Sequence, residues 1–366
     1  MDQTTGGGCK EITVAAVGDV YIKKDARVAT ERKNRSTLLA EVGPLLSAAD
    51  VCLYNVEGPM VESHGAPIAE KCCIRSVPRA AQWLAEIAPC VAILANNHSC
   101  DYGADALQRT RTEFSRHGAI TIGAGLNLAE ATAPCIMKVQ GVRLGLVAFA
   151  WDFIGAQAAT QDSFGVAPLD EDLIAASIDG LKEVSDCIVI SVHWGYEKER
   201  YPLPWQRELA HRMIDRGATV VVGHHPHVYQ GVEQYRNGLI AYSLGNFVFP
   251  DISYGPYEIR QNEATRSGLM LSVNLNATGV THWQITPLRA DRNFHPTVLS
   301  GVKRSLVLQH VNDLSSGFGV RNYRAFWRKN RSRRDLIEIR HCNSISHARL
   351  RFHRTLHRVV HAFETT

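Results

Sequence analysis

The chain is built around short runs that are apolar almost from end to end, with segments of helical periodicity between them. ITVAAV (12–17), VCLY (51–54), CVAIL (90–94), RLGLVAFA (143–150), CIVISV (187–192) and TVVVG (219–223) are too short for buried helices and lack the alternation of a strand with one wet face. STLLAEVGPLLSAAD (36–50), AAQWLAEIA (80–88), GADALQRTRTEFSRHG (103–118), LIAASIDGLKEVS (173–185, interrupted by Gly180) and PWQRELAHRMIDRG (204–217) read as helices. Gly118 stands as a C-cap, and Pro204 and Gly217 bracket the last helix. Strands buried on both faces and separated by helices mean sheets covered by helices, an α/β fold. GLMLSVNLNATGVTHWQITPLR (268–289) alternates instead, and turns at NATG like an antiparallel hairpin.

That alternation stops near residue 300. The expected organisation is a disordered N-terminus at 1–10, one domain at 11–300 and a basic, helical C-terminal extension at 301–366. The net charge of +4 hides an asymmetry: from Gly301 onward, 14 Lys and Arg face 4 Asp and Glu, so the rest of the chain is net negative. Such a tail suits an anionic polymer or a membrane surface, and equally a solvated basic helix. No run approaches the roughly 18–20 apolar residues of a membrane span. MDQTTGGGCKE has neither a basic n-region nor an apolar h-region. The expectation is a cytoplasmic protein with no integral membrane span, and with peripheral membrane association left open. Nine cysteines, odd in number and without a CxxC pair, read as reduced thiols, with Cys52, Cys90 and Cys187 inside apolar runs.

Polar chemistry collects where the apolar runs stop. They lead into Gly18-Asp19, Asn55-Val56-Glu57, Asn96-Asn97-His98, His193-Trp194-Gly195 and His224-His225-Pro226-His227. In α/β sheets the loops beyond the carboxyl ends of strands form the active-site rim. Each feature alone has a bland explanation: Asp19 as a turn residue, His193 as a hydrogen-bonded core histidine, NNH as Asx turns. Five in series point to a metal. Carboxylate oxygen with imidazole nitrogen suits Mn, Zn or Fe better than Ca. Two carboxylates, one amide and up to four imidazoles exceed one tetrahedral site, so the expectation is one or two divalent transition-metal ions. In an extended chain His225 and His227 would face one side, with Pro226 holding His225 extended.

VGDV (17–20), NVEGP (55–59), NNHSCDYG (96–103), HWG (193–195), GHHPHV (223–228) and SLGNFVF (243–249), in that order, resemble the CapA family. These are the bacterial poly-γ-glutamate capsule synthesis proteins, also called PgsA-like, and the resemblance covers roughly residues 11–290. The family is similar to the calcineurin-like metallophosphoesterases. The resemblance implies a four-layer α/β/β/α sandwich with a metal site between its sheets. It implies Asp19 as the first-strand ligand, Glu57 in place of the bridging aspartate, Asn97 as a ligand and His98 as the catalytic residue near the leaving group. His193 matches the next ligand, His225 and His227 the closing pair, and His224, Asn246 and Asp101 are further candidates. Metallophosphoesterases usually carry Asp-x-His on the first strand. Tyr21 takes the third position here, as CapA-like sequences generally lack that histidine, so one metal loses a ligand. Family members are often membrane-anchored or exported, and no anchor is seen in this sequence.

The function expected is metal-dependent hydrolysis of a phosphoester, or of a γ-glutamyl amide, through a metal-activated water, with His98 as the acid. The alternative is a non-catalytic binding or export factor for an anionic polymer such as poly-γ-glutamate, working with capsule or polyglutamate synthesis proteins. A nuclease ranks last. Arg residues interleaved with Tyr323, Phe326 and Trp327 can grip single strands, but the tail shows no nucleic-acid-binding fold. The expected partner is an anionic small molecule or polymer, not nucleic acid. Arg75, Trp194 and Glu197 adjoin the motifs as candidate substrate contacts.

Overall fold

Each apolar run becomes a strand, and the strands divide between two large sheets. The computed structural model describes residues 10–23, 31–32, 35–62, 67, 71–254 and 257–331. In the first sheet Ile12–Val20, Val51–Val56, Cys90–Ile93 and Ile120–Ile122 lie side by side in parallel. The alternating segment forms the hairpin Ser267–Asn276 and Gly279–Ala290. It pairs antiparallel with the other edge of Ile12–Val20 and is followed by Pro296–Val298. Asn246–Val248 pairs with the end of Ile12–Val20 and completes eight strands. The second sheet has six. Its parallel centre is Val142–Ala150, Cys187–His193, Val220–His224 and Gly238–Ala241, flanked by the antiparallel Cys135–Val139 and Val232–Tyr235.

The sheets pack face to face, and side-chain parity assigns each residue to a layer. Val14, Ala16 and Leu53 of the first sheet meet Val189, Val220 and Val222 of the second across a gap of about 10 Å³ lined by apolar side chains, which offer a water no partner. Alternate residues face outward onto helices. Leu84 of Arg79–Ala85, and Leu107 and Phe114 of Gly103–Arg116, cover the first sheet. Ile178 and Leu181 of Glu171–Lys182, and Ala210 and Met213 of Pro204–Arg216, pack on Ile188, Ile190 and Val221 of the second. The result is the four-layer α/β/β/α sandwich. The central strands of both sheets are covered on both faces, which is why their runs read as continuously apolar. Full burial of each Val or Leu contributes ~1.5–3 kcal/mol.

One helix departs from its pattern. Within 36–50 only Gly43–Leu46 is α-helical, and the stretch before it is turn. Pro44 lacks an N–H and is tolerated only in a helix's first turn, so the helix begins at Gly43 instead of running through from Ser36. Gly180, by contrast, does not interrupt Glu171–Lys182. Beyond 300 lie the helices Gly301–Ser316 and Tyr323–Asn330, and Phe318, Tyr323 and Trp327 are buried in the outer core of the second sheet. The expectations for residues 1–9 and 332–366 fall outside the described residues. Among the described residues no helix is long and apolar enough to cross a membrane.

Candidate metal centre

Asp19 stands at the carboxyl end of Ile12–Val20, where the strand bulges between Val17 and Asp19. A Cβ at Gly18 would lie 2.0 Å from the Gly245 carbonyl oxygen. Only glycine admits that approach, which lets the Asp19 N–H donate to the same carbonyl at 2.9 Å. Asp19 is thereby set in register with Asn55 on one side and Asn246 on the other. On the second sheet His193 and His224 are register partners at neighbouring strand ends. The two ends meet: His224 Nδ1 lies 3.3 Å from Asp19 Oδ1, and His227 Nδ1 lies 3.1 Å from Asp19 Oδ2.

Glu57, just past Val51–Val56, completes a cluster. Ligand atoms of Asp19, Glu57 and His227 all lie within 4.8 Å of one another. Glu57 is fully buried, and neither of its carboxylate oxygens has a hydrogen-bond partner; Oε1 is 3.8 Å from His193 Nε2. Both ring nitrogens of His224, and Nδ1 of His225, also lack one. Buried polar atoms are almost always partnered in native proteins, so orphans gathered at the meeting strand ends are a built feature. The electrostatics agree. Burial, then the charge of Asp19, pushes the Glu57 carboxyl well above the usual range. Burial would raise Asp19 too, but the imidazoles of His224 and His227, 3.3 and 3.1 Å away, hold it well below. Burial alone would lower His227, yet the Glu57 and Asp19 carboxylates push it up to about 10. Burial keeps His193 well below its ordinary value and His225 at about 4.

The remaining candidates surround this cluster. His193 Nε2 is 3.0 Å from Asn97 Oδ1, and its Nδ1 is 3.2 Å from Asn55 Nδ2. The His225 ring centroid is 4.9 Å from that of His193 and 5.9 Å from that of His227. Asn246 Oδ1 is 2.9 Å from His227 Nδ1. His98 Nδ1 is 2.7 Å from Asp101 Oδ2, so Asp101 serves His98 rather than the Asp19 cluster.

The extended-chain argument for His225 and His227 does not hold. Their φ angles are +97° and +55°, in the left-handed region. After His224 the chain turns out of the sheet, and this turn aims the rings. The His225 N–H points to Asp19 Oδ2 at 3.4 Å. Such backbone costs roughly 1–3 kcal/mol per residue and is held by its surroundings. Trp194 is no substrate contact: it is fully buried and its Nε1 donates to the Tyr242 carbonyl at 3.1 Å. Arg75 lies over the Tyr102 ring, 5.5 Å from its centroid, and Glu197 is exposed. Tyr21 is buried edge-on to Phe249, at 5.5 Å, and burial raises its phenol so that it stays neutral. Phe249 also lies tilted against His227, with ring centroids 4.6 Å apart. An apolar wall thus fills the place of the histidine that the first strand lacks.

Sequence reasoning passed over two residues. Asn55 Nδ2 donates to Asp19 Oδ1 at 2.8 Å and holds that carboxylate in place. Its position at a strand end was the available signal. Lys71, 2.9 Å from Asp101 Oδ1, follows no apolar run and gave no signal. The donor set fits a cation. Two carboxylates and an imidazole at one point, with amide oxygen and further imidazole around them, are what Mn, Zn or Fe sites use.

The family described as bacterial capsule synthesis protein PGA_cap matches residues 13–251. The PGA biosynthesis protein CapA of Bacillus subtilis (strain 168) is 30% identical over 301 residues, covering 81% of this chain and 76% of that protein. The capsule biosynthesis protein CapA of Bacillus anthracis is 28% identical over 339 residues, 90% of this chain and 78% of that one. A probable polyglutamine synthesis accessory protein of Mycobacterium tuberculosis is 31% identical over 258 residues, 67% of each. Among solved structures, a 5'-nucleotidase precursor from Thermus thermophilus aligns with 83% of this chain and 58% of its own, at 14% identity and a TM-score of 0.45. The match over most of the strand-end motifs, and the extent of the CapA alignments, place the chain in the bacterial capsule synthesis protein family PGA_cap.

Proposed function

We propose that this chain is a metal-dependent hydrolase of capsule-biosynthesis type, acting on a phosphoester in an anionic substrate. The observation that carries this reading is the Asp19–Glu57–His227 cluster, with both buried Glu57 oxygens left without a partner. Those three residues would hold a divalent ion, with Asn97, His193 and His225 beside them. Such an ion supplies an acidified water and positive charge opposite a developing oxyanion. The protein's own part is positioning and proton transfer. Asn55 orients Asp19, and Asn246 orients His227. The Nδ1 side of His98 is taken by Asp101, so Nε2 is the nitrogen that passes a proton. As water forms the new P–O bond and the ester P–O bond breaks, His98 protonates the leaving oxygen and regains its proton from solvent.

A γ-glutamyl amide is the second substrate class, because relatives carry the name of PGA biosynthesis. A non-catalytic reading, binding an anionic polymer among capsule synthesis partners, draws on the accessory-protein name of the mycobacterial relatives. Elemental analysis decides between them. Wild type is expected to hold about one transition-metal ion per chain, and Asp19→Ala and His227→Ala to lose it. Phosphomonoesters, phosphodiesters and γ-glutamyl amides are then assayed with that metal. Wild type that stays metal-free after reconstitution with Mn²⁺, Zn²⁺ and Fe²⁺ sinks the hydrolase and leaves polymer binding.

A further inference from the structure

Lys71 lies outside every sequence motif, yet its ammonium is set against the His98–Asp101 pair. Its Nζ is 2.9 Å from Asp101 Oδ1 and 3.2 Å from the Gly155 carbonyl oxygen, and it also donates to the Asn97 carbonyl oxygen. Two of the ammonium's donors go to backbone carbonyls, and the Asp101 carboxylate is held by charge. These partners come from both sheets: Asn97 and Asp101 from the loop after Cys90–Ile93, and Gly155 from the turn after Val142–Ala150.

Asp101 is buried, its Oδ2 is hydrogen-bonded and its Oδ1 has only the Lys71 ion pair. Oδ2 accepts from the Ile74 N–H at 2.9 Å and faces His98 Nδ1 at 2.7 Å, while Oδ1 takes Lys71. A surface ion pair would contribute little. Here one partner is a buried carboxylate, and losing Lys71 would leave Oδ1 uncompensated, free to rotate toward another donor and to take the His98 ring with it. The contact to Gly155 also ties down the turn that carries Phe153, stacked on Trp151 at 4.8 Å.

We infer that Lys71 is a positioning residue for proton transfer, fixing the imidazole of His98 through Asp101. This rests on the hydrolase reading. Lys71 touches Asn97 only at its backbone carbonyl, while the Asn97 side chain is held at His193, so removing Lys71 acts more on departure of the leaving group than on the metal cluster.

The test compares an aryl phosphate, whose leaving group departs without a proton, with an alkyl phosphate, whose leaving group needs one. In Lys71→Met, kcat for the alkyl ester is expected to fall at least about tenfold further than kcat for the aryl ester. KM and bound metal should stay near wild type. Lys71→Arg keeps the charge but not the compact three-donor geometry, and is expected to recover part of the alkyl rate. Equal losses on both esters would reduce Lys71 to a structural role and overturn the inference. If wild type cleaves neither ester under any metal, the hydrolase reading has failed on its own, and NMR decides the placement of Lys71. The His98 Nδ1–H resonance, held by Asp101, should be sharp in wild type and broadened or lost in Lys71→Met. An unchanged resonance there overturns the positioning.

Discussion

Asp19, Glu57 and His227 share protons as one unit, because each sits in the field of the others. Asp19 is held low, whereas Glu57 is held high and His227 is raised to about 10, so in the metal-free protein protons remain on the cluster at neutral pH. A cation must displace them. The sign follows: a raised His227 keeps its proton until the pH approaches about 10, so metal affinity should climb through neutral and mildly alkaline pH. Calorimetric titration of metal into protein in two buffers of different ionisation enthalpy should show proton release. Binding with no proton release would mean that His227 is not a ligand. At this scale the sequence showed which residue types gather but not how they are aimed. His225 and His227 take left-handed backbone that no periodicity announces. Lys71 reaches Asp101 only because the fold brings it back over the site.

At the scale of elements, the site depends on how closely two strand ends approach. Gly18 meets the Gly245 carbonyl where a side chain has no room. Gly18→Ala should therefore part Ile12–Val20 from Asn246–Val248 and move Asp19 away from Asn246. The expected cost is roughly 1–3 kcal/mol of stability, as for other overpacked sites, with metal content lost more steeply than stability. Denaturant unfolding set beside elemental analysis checks this. A variant with full stability and full metal would show that the close approach does not place the carboxylate. The strands and the hairpin were legible because periodicity is a local property of the chain. The helix expected over 36–50 was not, because Gly43-Pro44 overrides an apolar pattern that is otherwise helical.

The whole molecule includes the segment past residue 300. Arg207 pairs with Glu233 at 2.7 Å and donates to the Phe318 carbonyl at 2.9 Å, linking the helix Pro204–Arg216 to the chain's last described helices. Tyr323 and Trp327 are buried beside Phe318. Trp327→Ala should cost ~3–5 kcal/mol as a large-to-small core change, read as a lower Tm, whereas substitution of the exposed Lys303 should leave Tm near wild type. An unchanged Tm in Trp327→Ala would make these helices an appendage. Glu233 supplies a pH signature. Burial would raise its carboxyl, but hydrogen bonds from His211, Arg207 and Tyr242 hold it at about 2. A depressed carboxyl stabilises the fold above its unfolded pKa and stops doing so as pH falls through the folded value. The advantage of wild type over Glu233→Gln should thus be full at neutral pH and shrink between about 4.5 and about 2. A stability difference that does not change with pH across that window would remove the ionised Glu233 from the account.

The sequence by itself determined the layers, since runs buried on both faces admit only sheets covered by helices, and it determined the chemistry, since Asp, Glu, Asn and His fall where those runs end. The tertiary structure alone decided which of these groups meet. Two sheets had to be brought seam to seam before Asp19 could find His224 and His227, some two hundred residues away in the chain. Local pattern sets where a side chain stands on its own strand, whereas distance to another strand is set by the packing of the whole.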